Sequence, residues 1–156
     1  MKDNLVEEND FVLFYLSPRK KWLIQVTKEK QIHTHAGFIE AKDVIGKEYG
    51  QCVITNTNNE IYLLYPKLND YIFKSKRATQ ILYPKDMAII ASWTDLSNGM
   101  NVIEAGTGSG SLSCVIANLI RPDGHLYSYD IREESHEIAK KNIEKAGLSE
   151  YVTLSL

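Results

Sequence analysis

The sequence predicts an α/β protein of two units in series: a small β-rich unit over residues 1–75, then a parallel α/β unit over residues 76–156. Three observations carry this expectation. The first part holds short β-branched and aromatic runs separated by Pro- and Asn-containing turns. The second reads strand, helix, strand, helix, strand, the order that builds a parallel sheet with right-handed crossovers. Within the second, one apolar strand runs directly into Gly-Thr-Gly-Ser-Gly at residues 106–110, a turn whose backbone must pass close to something.

The strands of the first unit are FVLFYL (Phe11 to Leu16), WLIQV (Trp22 to Val26), CVITN (Cys52 to Asn56) and IYLLY (Ile61 to Tyr65). Ser17 to Lys21 and Asn56 to Glu60 place Pro and Asn where hairpin loops favour them, so a small barrel or meander is expected. His33 and His35 alternate on a further stretch read as strand, and both imidazoles can face one way. With no third ligand nearby in sequence, a structural or substrate-side role is favoured over a metal site.

Composition shifts at Tyr83-Pro84-Lys85-Asp86. MAIIASWTDL then predicts a helix burying Met87, Ile90, Ala91 and Thr94, with Pro84 in its first turn and Ser97-Asn98-Gly99 at its end. NVIEAG is a buried strand. GSLSCVIANLI is a helix with Leu112, Val115, Ile116, Leu119 and Ile120 at helical spacing. Pro122-Asp123-Gly124 stops it, and HLYSYDI is the next strand. A helix from Glu133 to Ala146 turns Ile138, Ala139, Asn142 and Ile143 to one side and ends at Gly147 as a C-cap. YVTLSL closes the series as a strand.

The chain's 18 Lys and Arg nearly balance 20 Asp and Glu, so composition alone gives no dominant nucleic-acid footprint, although Lys67, Lys74, Lys76, Arg77 and Lys85 lie close together. Cys52 and Cys114 lack metal or redox spacing, which suits a reducing compartment. No apolar run approaches the roughly 20 residues of a membrane helix, and the acidic start is unlike a signal peptide. A cytoplasmic protein with no membrane partner is expected.

Gly106, Gly108 and Gly110 form G-x-G-x-G, whereas a dinucleotide fingerprint requires G-x-G-x-x-G and meets Ser111 at its third glycine. A P-loop requires a lysine, and none occurs between Lys85 and Lys140. Glu104, two residues before the first glycine, repels a pyrophosphate and attracts a cation. S-adenosylmethionine carries an ammonium and a sulfonium and no phosphate, and its carboxylate can use N–H groups of the turn and helix start. Asp130, about 20 residues further on, can accept both ribose hydroxyls, as in nicotinamide sites too. A nicotinamide site and a plain tight turn are the alternatives to the methyl-donor site.

TGSGS with SYDIREE, preceded by KRATQILYPKD at Lys76 to Asp86, resembles the tRNA (adenine-N1)-methyltransferases of the T-loop adenine 58 type. HTHAGFIEAKDVIG, His33 to Gly46, resembles a segment of their N-terminal β domain. The resemblance covers nearly the whole chain. It implies a Rossmann-like class I S-adenosylmethionine methyltransferase domain, incomplete after its first three strands, behind a small N-terminal β domain. It also implies that Glu104, Gly106, Thr107, Gly108, Ser109, Gly110 and Ser111 line the methionine part of the cofactor, Asp130 the ribose and Ile131 the adenine. Gln80 and Tyr83 match a segment approaching the cofactor from the linker. The implied reaction is methyl transfer to N1 of adenine, with tRNA as partner and a homo-oligomer, a tetramer, as the assembly.

Members of that family continue beyond this length and place a catalytic Asp after a fourth strand, so the chain is expected to be part of a longer protein and no catalytic residue is named. A noncatalytic partner subunit, and a methyltransferase acting on another substrate, are the competing readings. Cys114 reads as inert packing.

Overall fold

In the computed structural model, residues 4–74 and 82–156 are described, and the chain divides into two units, Met1–Asp70 and Tyr71–Leu156. In the first, β1 (Phe11–Ser17), β2 (Lys20–Gln25), β5 (Cys52–Ile54) and β6 (Glu60–Leu64) form an antiparallel sheet in the order β2-β1-β6-β5. A separate hairpin pairs β3 (Gln31–Thr34) with β4 (Gly37–Glu40). Period-two alternation supplies the core: Val12, Phe14, Val53, Ile61 and Leu63 point inward to meet Ile32 and Ile39 of the hairpin.

The expected strand through both histidines is broken. His33 lies on β3, but His35 sits in the two-residue turn between β3 and β4. The reason is Gly37, whose φ of +105° closes a tight turn that the Thr34 hydroxyl reinforces by donating to the Gly37 carbonyl at 2.9 Å. A second turn locks onto this one. Asn56 Oδ1 accepts from the Phe38 N–H at 2.8 Å, while the Thr57 hydroxyl and Asn59 Nδ2 donate to the Ala36 carbonyl at 2.6 and 3.1 Å. The Asn-rich run thus clamps the histidine turn as well as joining β5 to β6.

In the second unit, α1 (Leu68–Lys74) crosses the boundary and buries Ile72. α2 (Pro84–Trp93) starts at Pro84 and ends before Thr94. Met87 is buried and Ile90 and Ala91 are half-buried, but Thr94, expected inward, is exposed. Its hydroxyl turns back to the Ile90 carbonyl at 2.7 Å, and Asp95 at φ 51° takes the chain out of the helix.

β7 (Asn101–Ala105), β8 (His125–Tyr129) and β9 (Val152–Ser155) make a parallel sheet in the order β7-β8-β9, connected by α3 (Ser111–Ile120) and α4 (Glu133–Lys145). The edge position of β7 leaves Ile103 77% exposed. α3 is turned relative to the expected stripe: Ser113, Ile116, Ala117 and Ile120 are buried, Leu112 and Val115 half-buried and Leu119 exposed. Small residues at 113 and 117 bring the helix close to the sheet, where the Ser113 hydroxyl has a buried partner described below.

α4 buries Ala139, Asn142 and Ile143, with Ile138 half-buried, and ends in a Schellman motif. Gly147, at φ 69°, donates to the Glu144 carbonyl at 2.9 Å, and Leu148 donates to Ile143 at 3.1 Å while burying its own side chain.

The turn-on-turn clamp of the first unit yields a stability prediction. A Cβ at residue 37 would lie 2.5 Å from both Asn56 Oδ1 and Thr57 Oγ1 in a backbone conformation that L-residues avoid. Gly37→Ala is expected to lower unfolding free energy by about 2 kcal/mol or more. Denaturant melts followed by circular dichroism check this, and an unchanged midpoint contradicts it.

Candidate methyl-donor site at the glycine turn

The site grows from the carboxyl end of β7. Strand alternation turns Glu104 into the unit, leaving it 8% exposed between exposed Ile103 and Ala105. Parallel register sets it beside Ser128 on β8. The Ser128 hydroxyl donates to Glu104 Oε2 at 2.6 Å, and so does the Ser113 hydroxyl from α3. The Thr107 hydroxyl lies 2.6 Å from Ser128 Oγ; since Ser128 gives its proton to Glu104, Thr107 is the donor there. Three hydroxyls in relay therefore support one oxygen of a buried carboxylate.

Burial nevertheless wins over these donors and pushes the Glu104 carboxyl up from its ordinary value. The same burial, with Glu104 nearby, raises the Cys114 thiol to about 12, leaving it protonated and unreactive at neutral pH.

The chain then enters the glycine turn, where Gly106, Gly108 and Gly110 have φ of 98°, 57° and 76°. Each lies in the left-handed region, so the alternate-residue spacing answers a backbone requirement. Gly110 adds a steric one, because a Cβ there would lie 3.2 Å from Ala139 Cα on α4. The turn is tied down on both sides. Gly106 and Thr107 N–H groups donate to the Tyr129 carbonyl at 2.7 and 3.1 Å, and Asn142 Nδ2 donates to the Ser109 carbonyl at 2.8 Å. Ser109 and Ser111 are buried, with their hydroxyls 3.1 Å apart.

Asp130 follows β8 and is 6% exposed. Oδ2 accepts from the Gly108 N–H at 2.8 Å, and Oδ1 from the Arg132 N–H at 3.0 Å. The Arg132 guanidinium adds Nε at 3.1 Å on Oδ1 and a terminal nitrogen at 3.3 Å on Oδ2. That guanidinium, more than the Gly108 and Arg132 N–H groups, holds the carboxyl down to about 2 against the opposing effect of burial.

Of the residues expected at the site, Glu104, Gly106 to Ser111 and Asp130 come together at this end of the sheet. Ile131 projects beside them with 96% of its surface exposed, and Tyr83 is the exposed residue preceding α2. Gln80, like Lys76 and Arg77, lies outside the described residues. Sequence reasoning passed over Ser113, Ser128, Asn142 and Arg132. Ser113 and Ser128 carried one usable signal, a serine inside otherwise apolar helix and strand runs, which needs a buried partner.

A buried carboxylate under a glycine turn, at the carboxyl end of a parallel sheet, defines a ligand-binding α/β protein of the nucleotide-cofactor type. Residues 59–156 match the family described as the tRNA methyltransferase complex GCD14 subunit, and the chain belongs to that family. It is 31% identical over 156 residues to a tRNA (adenine(58)-N(1))-methyltransferase catalytic subunit of Dictyostelium discoideum, covering 98% of this chain and 49% of that protein. A Methanocaldococcus jannaschii tRNA (adenine(57)-N(1)/adenine(58)-N(1))-methyltransferase is 33% identical over 128 residues, 82% of this chain and 44% of its own length.

Among solved structures, a SAM-dependent O-methyltransferase of Thermotoga maritima superposes with a TM-score of 0.89 at 36% identity, covering 97% of this chain and 57% of that one. The tRNA (m1A58) methyltransferase TrmI of Aquifex aeolicus gives 0.81 at 30%, over 97% and 58%. The chain spans about half the length of the curated relatives it matches.

The opposite pKa shifts of the two carboxyls predict opposite pH signatures. Glu104's raised value means that its contribution is fully present below the ordinary glutamate range and is lost as pH rises through the folded-state value. Glu104→Gln, which keeps an acceptor for both serines, should therefore gain stability over the parent as pH rises. Asp130's contribution is present above the ordinary aspartate range and is lost as pH falls towards about 2, so the deficit of Asp130→Asn should shrink on acidification. Thermal melts across pH test both; parallel curves for parent and variants contradict the assignment.

Proposed function

We propose that this chain forms the cofactor-binding part of an S-adenosylmethionine-dependent enzyme that methylates N1 of a tRNA T-loop adenine. The cofactor reading is carried by Glu104, a buried carboxylate with no basic side chain among the described residues in its hydrogen-bond set. Such a group is stabilised by an arriving cation and is hostile to a pyrophosphate. The residues fit the cofactor with one adjustment: Asp130 already accepts four donors, so ribose hydroxyls would take the place of the Arg132 guanidinium while the Gly108 and Arg132 N–H bonds persist.

S-adenosylmethionine supplies a methyl on positively charged sulfur, which passes to the ring nitrogen as the sulfur–carbon bond breaks and the positive charge moves to the adenine. The chain's own work is positional. Glu104 would fix the ammonium, and N–H groups of the turn and the start of α3 the carboxylate. Asp130 would orient the ribose, and exposed Ile131 would cover the adenine edge. Excluding rotation of the bound donor keeps the methyl in line with its acceptor, the chief source of rate when the nucleophile is a neutral ring nitrogen. No residue of this chain is assigned the proton-accepting role towards the adenine amino group.

The tRNA substrate rests on the family and on the named activities of relatives whose likeness includes the first unit. N1 lies on the Watson–Crick edge, so the target adenine must leave its stack. A homo-oligomer, a tetramer by resemblance, and a cytoplasmic setting complete the proposal; free thiols at Cys52 and Cys114 support the latter. A second reading, transfer to another acceptor, is favoured by the name of the Thermotoga maritima relative.

Incubation of the full-length protein with methyl-labelled cofactor and unmodified tRNA decides between them. Label is expected at N1 of a T-loop adenine; label on protein or metabolite and none on tRNA selects the second reading. The Glu104 assignment has its own check. Glu104→Gln is expected to weaken S-adenosylmethionine about 10- to 150-fold, the worth of one charge-assisted bond. Methylthioadenosine, which lacks the ammonium, should bind both proteins alike in calorimetric titration.

A further inference from the structure

In the first unit, Trp22, His33, Thr34 and His35 line a cleft of about 270 Å³. Its walls are rings. Trp22 and His35 lie edge to edge with centroids 6.3 Å apart and planes within 25° of parallel, while His33 leans on Phe38 at 5.9 Å and 45°. Trp22 is half-buried against the core, so its ring is pre-ordered, whereas both histidines are exposed. The Trp22 indole N–H donates to His35 Nδ1 at 3.4 Å, which leaves the proton of the neutral imidazole on Nε2 as a donor towards solvent.

The cleft is also held rigid. His35 and Ala36 form the turn that the Asn56–Asn59 segment clamps through four hydrogen bonds to Ala36 and Phe38. Among the described residues, no acidic side chain lines it. Exposed Lys20 opens β2, where strand alternation puts it on the same face as Trp22, and exposed Arg19 precedes it in the β1–β2 turn. Lys21, on the opposite face, is engaged with Asp70 at 3.2 Å.

The geometry points to this cleft as a site for an unpaired RNA nucleobase, stacked on the Trp22 and His35 rings with its phosphate beside Lys20 and Arg19. Flat rings, an in-plane donor and flanking cations are what single-stranded nucleic acid needs, whereas an aromatic groove for a proline-rich peptide has no use for the cations. The inference rests on the proposal that RNA is the substrate and places a contact point outside the glycine-turn site.

The test uses the full-length protein and unmodified tRNA in filter binding, with Trp22→Ala, Trp22→Phe and His35→Ala. S-adenosylhomocysteine affinity and a circular dichroism melt serve as fold controls. Each base–aromatic stack is worth about 1–3 kcal/mol, so Trp22→Ala is expected to weaken tRNA binding roughly 5- to 150-fold. Trp22→Phe should stay within about threefold of the parent. His35→Ala, at an exposed turn, should weaken binding with its melt unchanged, which keeps the test valid if Trp22→Ala fails to fold. Full tRNA affinity in folded His35→Ala and Trp22→Ala overturns the site while leaving the substrate proposal standing. A defect confined to subunit association, read by sedimentation, also overturns it. Failure of the parent protein to bind tRNA at all overturns the substrate proposal and this site with it.

Discussion

The second unit is organised around the burial of one carboxylate. Glu104 sits at the end of β7 with 8% of its surface exposed, and each element that packs on that strand supplies something to it. Ser128 comes from the neighbouring strand, Ser113 from the helix above, and Thr107 reaches it through Ser128. These contacts explain why α3 turns its small, hydroxyl-bearing side inward and leaves Leu119 at the surface, although a purely hydrophobic count prefers the reverse. Leaving Glu104 without donors would cost about 1–3 kcal/mol or more, comparable with burying one leucine side chain.

The glycine spacing follows from the same packing. Every second residue between 106 and 110 adopts a positive φ, and the last must also leave room for Ala139, whose Cα would lie 3.2 Å from a Cβ there. A dinucleotide fingerprint places its third glycine one residue later, at Ser111. Here the Ser111 side chain is buried beside Ser109, whose carbonyl takes the Asn142 amide, so α4 closes on the turn from behind. The turn is held by the unit itself, with β8 on one side and α4 on the other, and is therefore shaped before any ligand arrives.

How much of this was legible in the sequence depended on range. The order of elements, the glycine turn and its two flanking acids could be read because each is a local pattern with a local cause: positive φ, strand period, a cap at Gly147. The partners of Glu104 could not, since Ser113 and Ser128 lie 9 and 24 residues away and come to it only through the packing of α3 and the β7–β8 register. Thr94 was misplaced because apolar periodicity does not register a threonine hydroxyl returning to its own helix. His35 was placed on a strand because the clamp that ends β3 comes from residues 56–59, a partner some twenty positions downstream.

The two site carboxyls are driven in opposite directions by their surroundings, and this divides their work. Asp130 is paired with Arg132 and bound to the Gly108 N–H, so it remains an anion at any ordinary pH and holds the turn to the end of β8. Among the described residues Glu104 has only hydroxyl donors, and its burial destabilises it as an anion. Of the two, Asp130 already has its counter-charge within the chain, whereas Glu104 gains the more from one brought by a ligand. A cation reaching Glu104 lowers the free energy of a charge the fold itself leaves under-compensated, and that difference is available as binding energy. A neutral donor in the same place recovers only part of it and an anion none, which is why the proposed function gives Glu104 to the positively charged group of the ligand.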